Sequence, residues 1–173
     1  SLAAERYLKP CAEIVDVGTG AGFPGLPLLI LRRDLKLTLM DSLQKRLVFL
    51  EAVLKELGLS AELVHARAED AGQNPKYRER FDAALTRAVS GLPVLCELTL
   101  PLVKVGGISI AYKGDASEEL AASGNALKLL HATAERVDAS ADYGARELVI
   151  LKKHGTTPKQ YPRKAGTPAK NPL

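Results

Sequence analysis

One ten-residue stretch constrains this chain more than any other: Asp16-Val17-Gly18-Thr19-Gly20-Ala21-Gly22-Phe23-Pro24-Gly25. Ahead of it, Glu13-Ile14-Val15-Asp16-Val17 is a short β-branched run that reads as a buried strand. Behind it, Pro24 to Arg33 reads as a helix, with Pro24 admissible only in the first turn. Strand, glycine-rich turn and helix together form the setting in which backbone approaches a nucleotide-type ligand closely, because glycine has no Cβ to hold it off. The stretch predicts the first unit of a layered α/β fold.

The rest of the chain repeats that unit. Leu37-Thr38-Leu39-Met40 reads as a second strand ending at Asp41, with Ser42 as the N-cap of the next helix. Leu43, Leu47, Leu50, Leu54 and Leu57 form that helix's apolar stripe, which stops at Gly58. Further strands are expected at 61–66, 82–86 and 108–112, the last after Gly106-Gly107. Helices are expected at 75–81, 92–103 and 117–131, the third weakened by Gly124. Strands near 134–137 and 147–151 follow with no helix between them, which predicts an antiparallel pair. Alternating strands and helices imply parallel βαβ units with right-handed crossovers. The expected fold is α/β: an open, doubly wound, Rossmann-like sheet of seven strands ending in an antiparallel hairpin. Ser1–Leu8 reads as the end of a helix, residues 1–153 as the sheet domain and 154–173 as a tail.

With 173 residues, 46% hydrophobic and 25% charged, the chain can bury a core without disulfides. Cys11 and Cys96 lie far apart beside apolar residues and are expected to be buried free thiols. A run of about eighteen apolar residues is absent, as is a basic–apolar leader, so no membrane association is expected and the cytoplasm is the expected location. His65, His131 and His154 are too scattered for a metal site. The net charge of +4 is uneven: from Lys152 onward six bases face no acid, while the rest of the chain is slightly acidic. Pro158, Pro162, Pro168 and Pro172 make this tail extended rather than helical. Such a run reads either as a solvated tail or as a nucleic-acid contact, with Tyr161 stacking on a base and Arg163 and Lys164 meeting phosphates.

Two fingerprints overlap in the glycine loop. Gly20-x-Gly22-x-x-Gly25 fits the dinucleotide pattern, in which a pyrophosphate rests on the helix start. Asp16-x-Gly18-x-Gly20-x-Gly22 fits the acid-x-Gly-x-Gly-x-Gly pattern of class I S-adenosylmethionine methyltransferases. Asp16 separates the two, since a carboxylate at a strand end can hold the ammonium of a methionine moiety and repels a pyrophosphate. Asp41 can accept hydrogen bonds from both ribose hydroxyls in either fold, or cap the following helix. Glu69 in Ala68-Glu69-Asp70 can serve an adenine edge, and Asp70 a helix start. Arg87, after the fourth strand, either positions an acceptor by its carboxylate or phosphate or makes an ordinary salt bridge.

With these residues assembled, the chain resembles the bacterial small-subunit ribosomal RNA guanine-N7 methyltransferases, the glucose-inhibited division protein B family, from Ile14 to Leu173. The resemblance rests on VDVGTGAGFPGLPL at 15–28, MDSLQKR at 40–46, RAED at 67–70, LTRAVS at 85–90 and YPRKAGTPAKNPL at 161–173. The last is the most distinctive, because no generic methyltransferase needs it. The resemblance implies a seven-stranded methyltransferase sheet and S-adenosylmethionine held by Gly18, Gly20, Phe23, Asp41, Ala68, Glu69 and Arg87. It also implies 16S ribosomal RNA or the small-subunit particle as partner, and a helical segment ahead of the sheet of which Ser1-Leu2 looks like the end. Guanine N7 carries an exposed lone pair, so the implied reaction needs no proton removal and positioning is the expected source of rate.

Two other classes stay open. An NAD-linked oxidoreductase would use the same loop, but the chain is short for the second domain such enzymes add. A non-catalytic RNA-binding module with a vestigial cofactor fold is the other; the intact Asp16–Gly22 loop and Asp41 speak against it.

Overall fold

The computed structural model describes residues 1–140 and 146–173. Five strands run parallel: β1 (Glu13–Val17), β2 (Lys36–Asp41), β3 (Glu62–His65), β4 (Phe81–Arg87) and β5 (Val103–Lys113). Two more complete the sheet, β6 (Ala132–Asp138) and β7 (Glu147–Lys153), with β7 antiparallel to both β5 and β6. The order across the sheet is β3-β2-β1-β4-β5-β7-β6. The chain thus winds outward from β1 to β3, then returns to start again at β4 on the other side of β1. Ligands of open α/β sheets bind in the crevice this reversal leaves at the carboxyl ends of the strands.

The central strands read as unbroken apolar runs because helices cover both faces. Along β1, Ile14 faces a core shared with Leu28, Leu47 and Leu50, while Val15 and Val17 face another shared with Phe81, Val94 and Leu98. The first face carries α1 (Gly25–Leu31) and α2 (Gln44–Glu56); the second carries α3 (Ala68–Gln73) and α4 (Leu92–Thr99). Helix α2 buries Leu47, Leu50 and Leu54 and leaves Leu43 and Leu57 at its ends exposed. It stops where the Leu59 N–H reaches back to the Leu54 carbonyl at 2.9 Å and the Gly58 N–H to that of Lys55 at 3.2 Å, a Schellman ending. The hairpin inserts its later strand into the sheet. β7 is apolar through its centre and sits inside, whereas β6, with Glu135 and Arg136 exposed, takes the edge.

Several local expectations are corrected. Helix α2 begins at Gln44, and Ser42 gives it no cap; the Asp41 carboxylate accepts the Leu43 N–H instead, at 2.9 Å. No helix forms over 75–81. The helix lies earlier, as α3, and ends before Pro75, which disfavours helical backbone in Asn74. The helix expected to reach Val103 stops at Thr99, followed by a 3-10 turn over Leu100–Leu102 that contains Pro101. Gly106-Gly107 lies inside β5 as an irregularity in its pairing with β4 rather than before it. The segment 117–131 is split at Ser123 into α5 (Ser117–Ala122) and α6 (Gly124–Leu129). Ser1–Leu8 holds a 3-10 turn over Leu2–Tyr7. Cys11 is exposed; only Cys96 is buried, and burial pushes its thiol up to about 12.

The tail is not extended into solvent. It folds back over α3 and α4 and ends in a short helix, α7 (Thr167–Lys170), with Pro168 in the first turn where a missing N–H costs nothing. Backbone and charge both find partners there. Arg78 donates to the carbonyls of Gly72 and Tyr161 at 2.7 Å, and to that of Thr157 at 2.8 Å.

Candidate functional site

At the carboxyl ends of β1 to β4 lies a cavity of about 340 Å³, within the usual range for small-ligand sites. Its wall includes Gly18, Asp41, Ala68, Glu69 and Ala88. The loop that opens it is built on positive φ, +67 at Gly18 and +60 at Gly20, which residues with a Cβ rarely adopt. A Cβ on Gly18 would lie 2.8 Å from Val89 Cγ2, so that glycine lets the β4 loop close in. A Cβ on Gly20 would meet only the Gly18 carbonyl, at 4.0 Å, and therefore points into open space.

Asp16 is fully buried beneath the loop, not on the cavity wall. Its Oδ2 accepts the Thr19 hydroxyl at 2.8 Å and the Gly25 N–H at 2.9 Å, bracing both ends of the turn. Its Oδ1 has no partner among the described residues. Burial pushes this carboxyl up to about 6, against the Thr19 and Gly25 hydrogen bonds and the charge of Arg87, which pull it down.

Asp41 is buried at the end of β2 and ties two elements together. Its Oδ2 accepts the Gly20 N–H at 3.0 Å, and its Oδ1 accepts the Leu43 N–H at 2.9 Å. Arg46 Nη1 approaches at 3.2 Å from a side chain that is 47% exposed. Asp41 therefore holds the residue ahead of α2 without capping the helix itself, and lines the cavity.

Glu69, also buried, accepts the Gly166 N–H at 2.8 Å and Arg67 Nη2 at 3.3 Å on the same oxygen, Oε1. Its Oε2 takes no hydrogen bond from another described residue, though the Glu69 backbone N–H also steadies the carboxylate. Burial raises this carboxyl, but the Gly166 hydrogen bond and Arg67 outweigh it and hold the group below the usual range, so it stays ionised and accepts only.

Arg87 makes no ion pair among the described residues. Its guanidinium lies over the Phe23 ring, 5.0 Å from the centroid. Arg87 lines a second cavity, of about 690 Å³, with Tyr112, Lys113 and the first residues of the chain; Ala88 borders both cavities. The structure thus gathers Gly18, Asp41, Ala68 and Glu69 on one wall and puts Arg87 across the partition. Gly20 and Phe23 stand on the loop and Asp16 beneath it.

The tail residues divide. Tyr161 is buried, so its ring has no face to offer a base. Arg163 Nη2 and Nε pair with the buried carboxylate of Glu97 at 2.6 and 3.0 Å, which occupies its fork. Lys164 remains exposed. Glu97, Arg78 and Gln73, which hold the tail, were not legible in the sequence, since their partners lie 66 to 89 residues away with no periodic signal.

The donors and acceptors present fit S-adenosylmethionine. Asp41 and Glu69 set carboxylate oxygens on the wall for hydroxyls and an exocyclic amine, Gly20 turns no side chain into the space between, and the unpartnered Asp16 oxygen lies beneath the loop. Among the described residues no cluster of His, Cys, Asp or Glu could hold a metal ion, and no helix is long and apolar enough to cross a membrane.

Solved structures of similar fold include methyltransferases. One from Pyrococcus furiosus matches with a TM-score of 0.69 at 14% identity, over 87% of this chain and 79% of that one. An rRNA methylase from Streptococcus thermophilus matches at 0.63 and 21% identity, over 87% and 92%. These likenesses carry the fold. Sequence relatives carry more. The ribosomal RNA small subunit methyltransferase G of Clostridium novyi is 46% identical over 97% of this chain and 71% of its own length. That of Leuconostoc mesenteroides is 49% identical over 98% and 73%. The family model described as rRNA small subunit methyltransferase G matches residues 1–149. On that span, and on near-half identity along almost the whole chain, this protein belongs to the rRNA small subunit methyltransferase G family.

Proposed function

We propose that the chain methylates N7 of a guanine in 16S ribosomal RNA, with S-adenosylmethionine as methyl donor, in the cytoplasm. The observation that carries this reading is the row of buried carboxylates, Asp16 near the end of β1, Asp41 at the end of β2 and Glu69 just after β3, around one glycine loop in a chain of this family. When bound, S-adenosylmethionine supplies an electrophilic methyl group on a sulfonium.

The chain's own residues bind and orient. Asp16, beneath the loop, attracts an ammonium by its charge. Asp41 accepts from the ribose hydroxyls as the half-exposed Arg46 swings aside. Glu69 offers Oε2 to an adenine amine. Phe23 supports Arg87 at the border of the larger cavity, where Arg87 positions the acceptor nucleotide. Because N7 presents a lone pair, no residue has to remove a proton before attack; holding N7 in line can supply several kcal/mol. Lys164, exposed beside the cofactor wall, is placed for an RNA phosphate. A buried acid under the loop disfavours the pyrophosphate of the oxidoreductase alternative.

Calorimetry with S-adenosylhomocysteine and with NAD tests the cofactor, and N7-methylguanine mapping on small-subunit RNA, naked and in particles, tests the reaction. Binding of NAD alone, or absence of N7-methylguanine from both substrates, overturns the reading.

A further inference from the structure

We propose that the last residues of the chain, 166–173, are a wall of the cofactor cavity, and that their docking through Gly166 and Ala169 is coupled to cofactor binding. The inference rests on the cofactor reading above. Gly166 donates its N–H to Glu69 Oε1 at 2.8 Å, the same carboxylate whose other oxygen is open to a ligand. Three residues on, Ala169 of α7 lines the cavity together with Gly18, Asp41 and Glu69. Gly166 reaches this point at φ +83, a conformation that side chains rarely adopt.

The segment is fixed from behind. Gln73 donates to the Pro162 carbonyl at 2.7 Å, and a Cβ on Gly72 would lie 2.7 Å from the Pro162 ring. Arg163 joins the buried Glu97 and also donates to the Asn171 carbonyl at 2.8 Å. Helix α3 is therefore clasped: its first residues, Ala68 and Glu69, face the cavity, and its end meets the tail. A tail that undocks withdraws one hydrogen bond from Glu69 and opens one side of the cavity. By linkage, a ligand that prefers the closed wall must hold the tail down by the same factor. Gly166 is thus a positioning residue, acting through Glu69.

Three measurements test this. A chain shortened to end at Ala165 should bind S-adenosylhomocysteine about tenfold or more weakly in calorimetry. Ala169→Leu in the full chain, at an exposed position that leaves the fold intact, should lose affinity by a similar factor by narrowing the cavity, with an unchanged cofactor-free Tm. Trypsin cleavage after the exposed Lys164 and Lys170 should slow at saturating S-adenosylhomocysteine, while cleavage after the exposed Lys128 on α6 should not. Unchanged affinity in Ala169→Leu, or tail cleavage indifferent to bound ligand, overturns the proposal and leaves the tail a brace of the fold. Failure of the unaltered chain to bind S-adenosylhomocysteine instead overturns the cofactor reading, and this inference with it.

Discussion

The sheet carries a charged cavity at each end. At the amino ends of β1 to β4, a cavity of about 490 Å³ is lined by Glu13, Arg33, Lys36, Glu62 and Arg80; the one at the carboxyl ends holds about 340 Å³. At the amino ends the charges answer one another across solvent. Glu13 faces Lys36 at 3.4 Å and Arg80 at 3.8 Å, while Lys76 meets Glu62 at 2.9 Å, all on partly exposed side chains. At the carboxyl ends the carboxylates are buried and accept backbone N–H groups of Gly20, Gly25, Leu43 and Gly166 at 2.8 to 3.0 Å, with the Thr19 hydroxyl added on Asp16. An exposed pair contributes roughly 0–1 kcal/mol and exchanges readily with water. A buried carboxylate costs several kcal/mol of desolvation that the rest of the fold must offset. Desolvated charge, not volume, separates the candidate site from the groove.

The largest effect should come from Gly20→Val. Its branched side chain enters the open space of the loop, and affinity for S-adenosylhomocysteine should fall by about 1,000-fold, ~4 kcal/mol. Gly58→Val is the matching change at the amino end, also at positive φ with nothing within 4 Å. Both should lose about 1–2 kcal/mol of stability in denaturant titrations, and only the first should lose ligand. Equal binding losses would break the comparison.

Next is Asp41→Ala, expected to weaken the cofactor by about 2–4 kcal/mol in calorimetry. It should also lower the cofactor-free Tm, because the Gly20 and Leu43 N–H groups lose their acceptor. Glu62→Ala at the other end should leave affinity unchanged and shift stability by less than about 1 kcal/mol.

Acidity sharpens the contrast. With its carboxyl raised to about 6, Asp16 holds a proton in the cofactor-free chain below that pH. A ligand ammonium needs the ionised form, so affinity should rise about tenfold between pH 5 and pH 7, and Asp16→Asn should flatten the profile. The sign for stability is opposite. The raised group stabilises the free chain fully below the unfolded value of 3.8, and this contribution is lost as pH climbs through about 6.

The smallest effect concerns RNA. Lys164→Ala should lower the slope of log affinity against log salt by about 0.7–0.9, as for one lost phosphate contact. Lys36→Ala, on the opposite end and 70% exposed, should leave the slope as it was.

Sequence and structure agree where the physics is local. β1, β2 and the buried stripe of α2 follow from the spacing of apolar residues, and the glycine loop from its position between strand and helix. Asp41 and Glu69 stood out because acids there follow the second and third strands, and the structure sets both on the cavity wall. Four prolines told of a largely non-helical tail but not of its path back over the fold, and charge was counted along the chain while the partners lie across it. Arg163 looked solvated until Glu97, 66 residues earlier, came to meet it, and Tyr161 looked free until the fold covered it. The order of β6 and β7 likewise depends on which strand tolerates burial on both sides, a property of the assembled sheet.

Because β7 runs against its neighbours, the chain leaves the sheet at the end opposite the cofactor cavity. There Lys153 Nζ is held by Glu79 at 2.7 Å and by the carbonyls of Val103 and Leu100 at 2.8 and 2.9 Å. From Lys153 the terminal segment must climb the full height of the molecule to reach Glu69. Gly166 lies thirteen positions after Lys153, a reach of about 43–47 Å when stretched, against roughly 23 Å for the seven residues of β4. The climb therefore has slack, and its landing point is set by anchors instead of tension. An extra residue between Arg163 and Gly166 forces a choice between Glu97 and Glu69.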